Sequence, residues 1–153
     1  MDTRRWSPAQ TILYAGLAIG TIDALDAILV FGLLRGVAPG RIFQGIAAGW
    51  LGRAALEGGA ATIAVGVATH YLNATIIAAL YFLVSRHVAA LRQRFWLWGP
   101  LYGWTVYLVM NFVVIPLSAI GVARFSVLGV TNGLLIHALG VGIPAAWFAR
   151  DPR

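Results

Sequence analysis

The chain has 153 residues, of which 60% are hydrophobic and only 10% are charged. A soluble domain carries about 25% charged residues, so this composition excludes an ordinary water-soluble fold for most of the chain. Cysteine is absent, which excludes disulfides, thiolate metal sites and iron–sulfur clusters.

The chain is basic, with a formal net charge of +6, and all of its basic residues except histidine are arginine. In a soluble protein this charge would suggest a nucleic-acid partner. Here the arginines lie between apolar runs and at the termini, where they can contact lipid headgroups. We therefore expect the lipid bilayer as the main partner and no nucleic acid, and we leave open a homo-oligomer or a membrane partner protein.

The first apolar run, residues 11–34, is predicted to be a transmembrane helix because it has the roughly 20 residues that a helix needs to span a bilayer. A signal peptide would have a shorter apolar region of about 7–15 residues, and Asp23 and Asp26 interrupt this run. The following segment, residues 42–56, is too short to span. It is predicted to be an interfacial or re-entrant helix with Trp50 as its anchor.

Three more apolar runs, at residues 60–85, 96–120 and 127–148, are also long enough to span. Tryptophans at 96, 98 and 104 form an aromatic belt of the kind found at the headgroup level. The whole chain, 1–153, is therefore predicted to be a single all-α transmembrane domain. We expect its four spans to form a four-helix bundle with the short helix between spans 1 and 2.

Four spans place both termini on the same side of the membrane. The positive-inside rule assigns that side to the cytoplasm if it carries more arginine near the membrane. It carries seven arginines against four on the other side: Arg4, Arg5, Arg86, Arg92, Arg94, Arg150 and Arg153 against Arg35, Arg41, Arg53 and Arg124. We therefore expect cytoplasmic termini.

Each span carries small residues followed, at steps of three or four, by polar ones, and these steps keep a set on one helix face. Glycine lets helix backbones approach closely. Close packing matters in lipid because the lipid tails are as apolar as the side chains, so burying an apolar side chain between helices gains little free energy. The glycines expected at helix contacts are Gly16, Gly20, Gly66, Gly103, Gly129 and Gly133.

The polar members of the stripes are predicted to form a buried polar layer, because polar groups deep in a membrane must find a partner or a cavity. At 1.5 Å per residue, most of them fall near the middle of a membrane roughly 30 Å thick. The predicted layer consists of Asp23, Asp26, His70, Asn73, Tyr107, Asn111, Asn132 and His137.

Several functions fit this layer. A structural role would pair Asp23 with His70 or Asp26 with His137, each group neutralising the other. A proton or ion path would use the same acids and imidazoles as a relay, with Pro116 and Pro144 opening helices beside a cavity. Because one small bundle leaves little room for a channel, ion transport would require an oligomer.

A metal or haem site is a further alternative, with His70 and His137 as candidate ligands. The identity of any cofactor stays open, since the chain has no His-x-x-x-His, Glu-x-x-His or Cys-x-x-Cys-His motif. It also has no serine-nucleophile motif and no glycine-rich phosphate loop after a strand. We therefore expect a non-enzyme, without catalytic residues.

The second half of the chain carries a set of motifs that resembles a known family. They are Gly66-Val-Ala-Thr-His70, Trp98-Gly-Pro-Leu-Tyr-Gly103, Ile115-Pro116-Leu117 and His137. Together they resemble the YagU-like family of uncharacterised bacterial inner-membrane proteins. The resemblance implies a bacterial inner-membrane location and no assigned molecular function. Asn111 departs from the family pattern, which has a histidine near this position.

Overall fold

The computed structural model describes residues 6–121 and 125–150, and every element in these ranges is helical. Within them, four helices are long and apolar enough to cross a membrane. This confirms an all-helical chain with candidate spans close to the predicted ones. The helices are α1 (Pro8–Leu33), α2 (Pro39–Leu51), α3 (Gly59–His87), α4 (Ala89–Gln93), α5 (Phe95–Leu117) and α6 (Val127–Ala149).

The ends of α1 follow from local sequence signals. Ser7 caps the N-terminus, and its hydroxyl accepts a hydrogen bond from the Gln10 backbone while the Gln10 side chain bonds the Ser7 backbone. At the other end Gly36 adopts a left-handed conformation with φ of 64°. The backbone N–H of Gly36 bonds the Gly32 carbonyl, and that of Val37 bonds the Phe31 carbonyl, a pairing that stops the helix.

Two spans widen into π-helical turns that end two residues before a proline. The segment Met110–Val114 precedes Pro116, and His137–Gly142 leads into Pro144. A proline ring clashes with the carbonyl four residues earlier, and an extra residue in the turn moves that carbonyl away. A third π-helical segment, Ile28–Leu33 in α1, has no proline to account for it.

The short helix predicted between the first two spans is α2, followed by a 3-10 turn at Gly52–Glu57. It packs tightly on α3, because a Cβ at Gly66 would collide with the Phe43 carbonyl. The Gln44 amide donates to the Gly59 carbonyl and to the Thr62 hydroxyl. The backbone N–H of Ala119, beyond α5, bonds the Gly49 carbonyl. Therefore α2 is fixed to both α3 and the end of α5.

The spans are packed unevenly along their length. Helix α1 contacts α3 and α6, and α5 contacts α6. The main core gathers where α1 begins, α3 ends, α5 begins and α6 ends, with residues such as Ile19, Tyr81 and Val106, and we call this the packed end. At the opposite, open end, the segments Ile28–Leu33, Met110–Val114 and Val127–Ile136 contain no buried residue.

Small side chains fill the interior and large ones face outward. Of the 17 buried hydrophobic residues in the described part of the chain, 11 are alanine and none is leucine. Leucines instead cover the outside of the spans, for example Leu80 at 53% exposure and Leu139 at 58%. This distribution is the reverse of a soluble core, where leucine is among the most often buried residues.

Helices α5 and α6 approach backbone to backbone. A Cβ added at Gly103 would overlap the His137 carbonyl, and one at Gly142 would overlap the Gly99 carbonyl. Glycine at these positions therefore sets the distance between the two helices. Because the obstacles are backbone carbonyls rather than flexible side chains, a larger residue can be accommodated only if the helices separate.

Replacing Gly103 by alanine is expected to lower stability by about 1–3 kcal/mol, the usual range for overpacking. Gly45→Ala is the matched control, because its added Cβ meets nothing within 4 Å and alanine favours helix by up to about 1 kcal/mol. Thermal unfolding in detergent measures both variants. A Gly103→Ala protein as stable as Gly45→Ala would contradict the close approach of α5 and α6.

Candidate functional site

A direct hydrogen bond joins polar residues of α1 and α6. The Asn132 amide donates to an Asp26 carboxylate oxygen at 2.6 Å. The two residues are 106 positions apart in the sequence, so the bond connects the first and last spans. Asp26 thus bonds Asn132, where the sequence suggested His137 as its partner.

His70 connects α3 to α1. Its Nε2 lies 2.7 Å from the Gly20 carbonyl oxygen, and because a carbonyl can only accept, Nε2 must donate. In the neutral imidazole the other ring nitrogen, Nδ1, is then a free acceptor. The ring meets Phe43 and Tyr71 edge-on, with centroids 6.1 and 5.5 Å away. Helices α1, α2 and α3 therefore all contribute to the position of this side chain.

His137 is the first residue of the π-helical segment in α6. Its Nδ1 lies 2.9 Å from the Gly133 carbonyl and donates for the same reason, which leaves Nε2 as the acceptor when the ring is neutral. The ring packs edge-on against Tyr107 of α5, with centroids 5.4 Å apart. Both imidazoles therefore hold one N–H on a backbone carbonyl and offer one nitrogen that can take up a proton.

Asp23 interacts electrostatically with both histidines and with Asp26. Its carboxylate lies within electrostatic range of His137, His70 and Asp26. Two acids from α1, one imidazole from α3 and one from α6 therefore occupy a common region of the structure. We call Asp23, Asp26, His70 and His137 the Asp/His cluster.

The residues of the predicted buried polar layer are only partly buried. Among its eight residues only Tyr107 is buried, at 7% exposure, and the other seven are partly accessible. The cause is the uneven packing of the spans, since the layer lies towards the open end, where few residues are buried. The predicted layer is also not one group of residues, because Asn73 and Asn111 line a groove that the Asp/His cluster does not line.

The groove has a volume of about 750 Å³ and lies between α2, α3 and α5. The Asn111 amide donates to the Tyr107 carbonyl of its own helix at 2.9 Å. Thr69 joins Asn73 and Asn111 as a polar lining residue, and the remaining walls are mainly apolar. These two amides therefore do not connect the spans directly to one another.

Most of the glycines expected at helix contacts lie against another helix. The exception is Gly129, whose added Cβ would meet only the nearby Ser126 hydroxyl. Gly99 and Gly142 also lie against the backbone of a facing helix, and Gly99 and Gly103 share the four-residue spacing of such sites. The facing groups are Thr75 for Gly16, Tyr71 for Gly20, Phe43 for Gly66, His137 and Ala138 for Gly103, and Tyr107 for Gly133.

The metal alternative gains no support from the geometry. Across residues 6–121 and 125–150, no three His, Cys, Asp or Glu side chains form a group that could hold a metal ion. His70 and His137 remain candidate ligands only from the sequence, and each already uses one ring nitrogen on a backbone carbonyl.

Comparison of the chain with family models, curated proteins and solved structures gives no significant match. The resemblance to the YagU-like family therefore stays a prediction.

The Asp26–Asn132 bond is expected to couple α1 to α6 by about 0.6 kcal/mol, and at most about 1.7, as for other hydrogen bonds between membrane helices. A double-mutant cycle of Asp26→Ala and Asn132→Ala, measured by unfolding in detergent, isolates this energy. Thr131→Ala is the control, because Thr131 is exposed beside Asn132. Strictly additive effects of the two substitutions would contradict a direct bond.

Proposed function

We propose that the chain is an integral membrane protein whose four spans form a bundle in a bacterial inner membrane, with both termini in the cytoplasm. The inverted packing supports insertion, because an exterior of leucine around an interior of alanine and glycine suits a hydrocarbon solvent. The four candidate spans have the necessary length. The arginine distribution supports the orientation.

We further propose that the Asp/His cluster takes up and releases protons, and that the protein, acting as an oligomer, moves protons across the membrane. What supports this proposal is the electrostatic interaction of Asp23 with two imidazoles, each with one nitrogen held on a carbonyl and the other able to accept a proton. Ionisable groups at such depth are rare outside substrate paths and proton relays.

A purely structural role explains part of the same geometry. The Asp26–Asn132 bond and the His70–Gly20 bond each fix two helices together. Asp23 is different, because its neighbours are ionisable groups within electrostatic range rather than a bonded partner on another helix. Asp23 is therefore the residue that distinguishes the two roles.

Proton movement can be measured in liposomes that contain the purified protein, a pH-sensitive dye inside and an imposed potassium-diffusion potential. The wild-type protein is expected to change the internal pH, and Asp23→Asn is expected to slow the change at least about tenfold, because losing an essential relay group removes general acid–base transfer. Asp23→Asn keeps the size of the side chain, so the bundle should still fold.

Glu57→Gln is the matched control, because Glu57 is an exposed acid outside the cluster, and it should move protons like the wild type. Two results would refute the proton role: no pH change with the wild-type protein, or equal rates for the wild type and Asp23→Asn. Either result would leave the cluster as a structural contact between α1, α3 and α6.

A further inference from the structure

The groove between α2, α3 and α5 is separate from the Asp/His cluster, since none of the four cluster residues lines it. Helix α2 forms one wall with Gly45, Gly49 and Trp50. The π-helical segment of α5 and the residues that follow it form the opposite wall. The widened turn before Pro116 therefore borders the groove.

The polar groups in the groove are neutral. Its lining includes the Thr69 hydroxyl and the carboxamides of Asn73 and Asn111, but no charged side chain. Asn111 uses one amide hydrogen on the Tyr107 carbonyl and keeps its carbonyl oxygen and second hydrogen. In an apolar medium an unpaired amide is unfavourable by several kcal/mol. A ligand with neutral hydrogen-bonding oxygens would satisfy these groups, whereas an anionic headgroup would find no counter-charge.

The depth of these groups restricts the ligand further. Asn73 is the central residue of the 29-residue helix α3, and Thr69 is one helical turn away, about 6 Å along the axis. If α3 spans the bilayer, these groups lie near its midplane, roughly 15 Å from the level of the headgroups. The ester carbonyls of a phospholipid in its normal position cannot reach them. A compound that dissolves in the hydrocarbon itself can.

We propose that the groove binds a neutral, membrane-dissolved compound with carbonyl oxygens on a compact ring and an apolar tail, the chemistry of an isoprenoid quinone. The amides of Asn73 and Asn111 donate to the ring carbonyls, and the apolar tail lies along the walls formed by α2 and α5. This proposal depends on membrane insertion but not on proton movement by the Asp/His cluster.

The probe for this site is a benzoquinone with a ten-carbon alkyl tail, titrated into the detergent-purified protein while tryptophan fluorescence is followed. Trp50 lines the groove and is 67% exposed, so a bound quinone should quench it in a saturable way. Trp50→Phe should remove most of the saturable quenching. The comparison compound is decylbenzene, which has the same tail without carbonyls and should compete only weakly for the site.

Two variants test the site from different directions. Asn73→Leu removes an amide and should weaken quinone binding roughly five- to tenfold, the effect of one hydrogen bond. Gly45→Leu should fill the groove and abolish binding, and the backbone there accepts a side chain because a Cβ at Gly45 meets nothing within 4 Å. Ala68→Leu, at an exposed position of α3 outside the lining, is the control and should bind like the wild type.

Three results would overturn the proposal. They are the absence of saturable quenching in the wild type, equal affinity for the quinone and decylbenzene, and unchanged quinone affinity in both Asn73→Leu and Gly45→Leu. A wild-type affinity for the quinone combined with no proton movement in liposomes would refute the proton role alone and leave the quinone site established.

Discussion

The close approach of helix backbones is the constraint on which the rest of this structure depends. Gly103 meets the backbone of α6 and Gly66 meets that of α2, while alanine makes up most of the buried apolar residues. Between helices in lipid, association depends on packing and hydrogen bonds rather than on release of apolar surface from water. Small residues at the contacts provide that packing, and the large apolar side chains are left for the outer surface.

The constraint also explains why polar groups and space lie at the open end. The main core lies at the packed end, whereas the segments Ile28–Leu33, Met110–Val114 and Val127–Ile136 at the open end contain no buried residue. The looser packing there leaves room for the partly accessible Asp/His cluster and for the groove. Helix α2 covers part of this opening and forms a wall of the groove. The difference in packing between the packed end and the open end thus accounts for both candidate sites.

The sequence predicted the helices well but not the contacts between their polar residues. Apolar runs identify candidate spans because a helix needs about 20 residues to cross a bilayer, and glycine spacing places Gly66 and Gly103 on contact faces. Helical periodicity does not give the rotation or the axial offset of one helix against another, so it could not show that Asp26 bonds Asn132. The groove was also beyond prediction, because it depends on where α2 docks, which is decided by contacts between distant residues such as Phe43 and Gly66.

The central claim is that the large side chains on the outside face hydrocarbon, and spin labels test it most directly. The chain has no native cysteine, so labelled single cysteines can replace the exposed leucines at 72, 108 and 139, with exposed Ala90 between α3 and α5 as the reference. In liposomes, the account predicts high collision rates with oxygen and low rates with a water-soluble nickel complex at the three leucine positions, and the opposite at Ala90. Nickel collision rates at the leucines equal to the rate at Ala90 would contradict it.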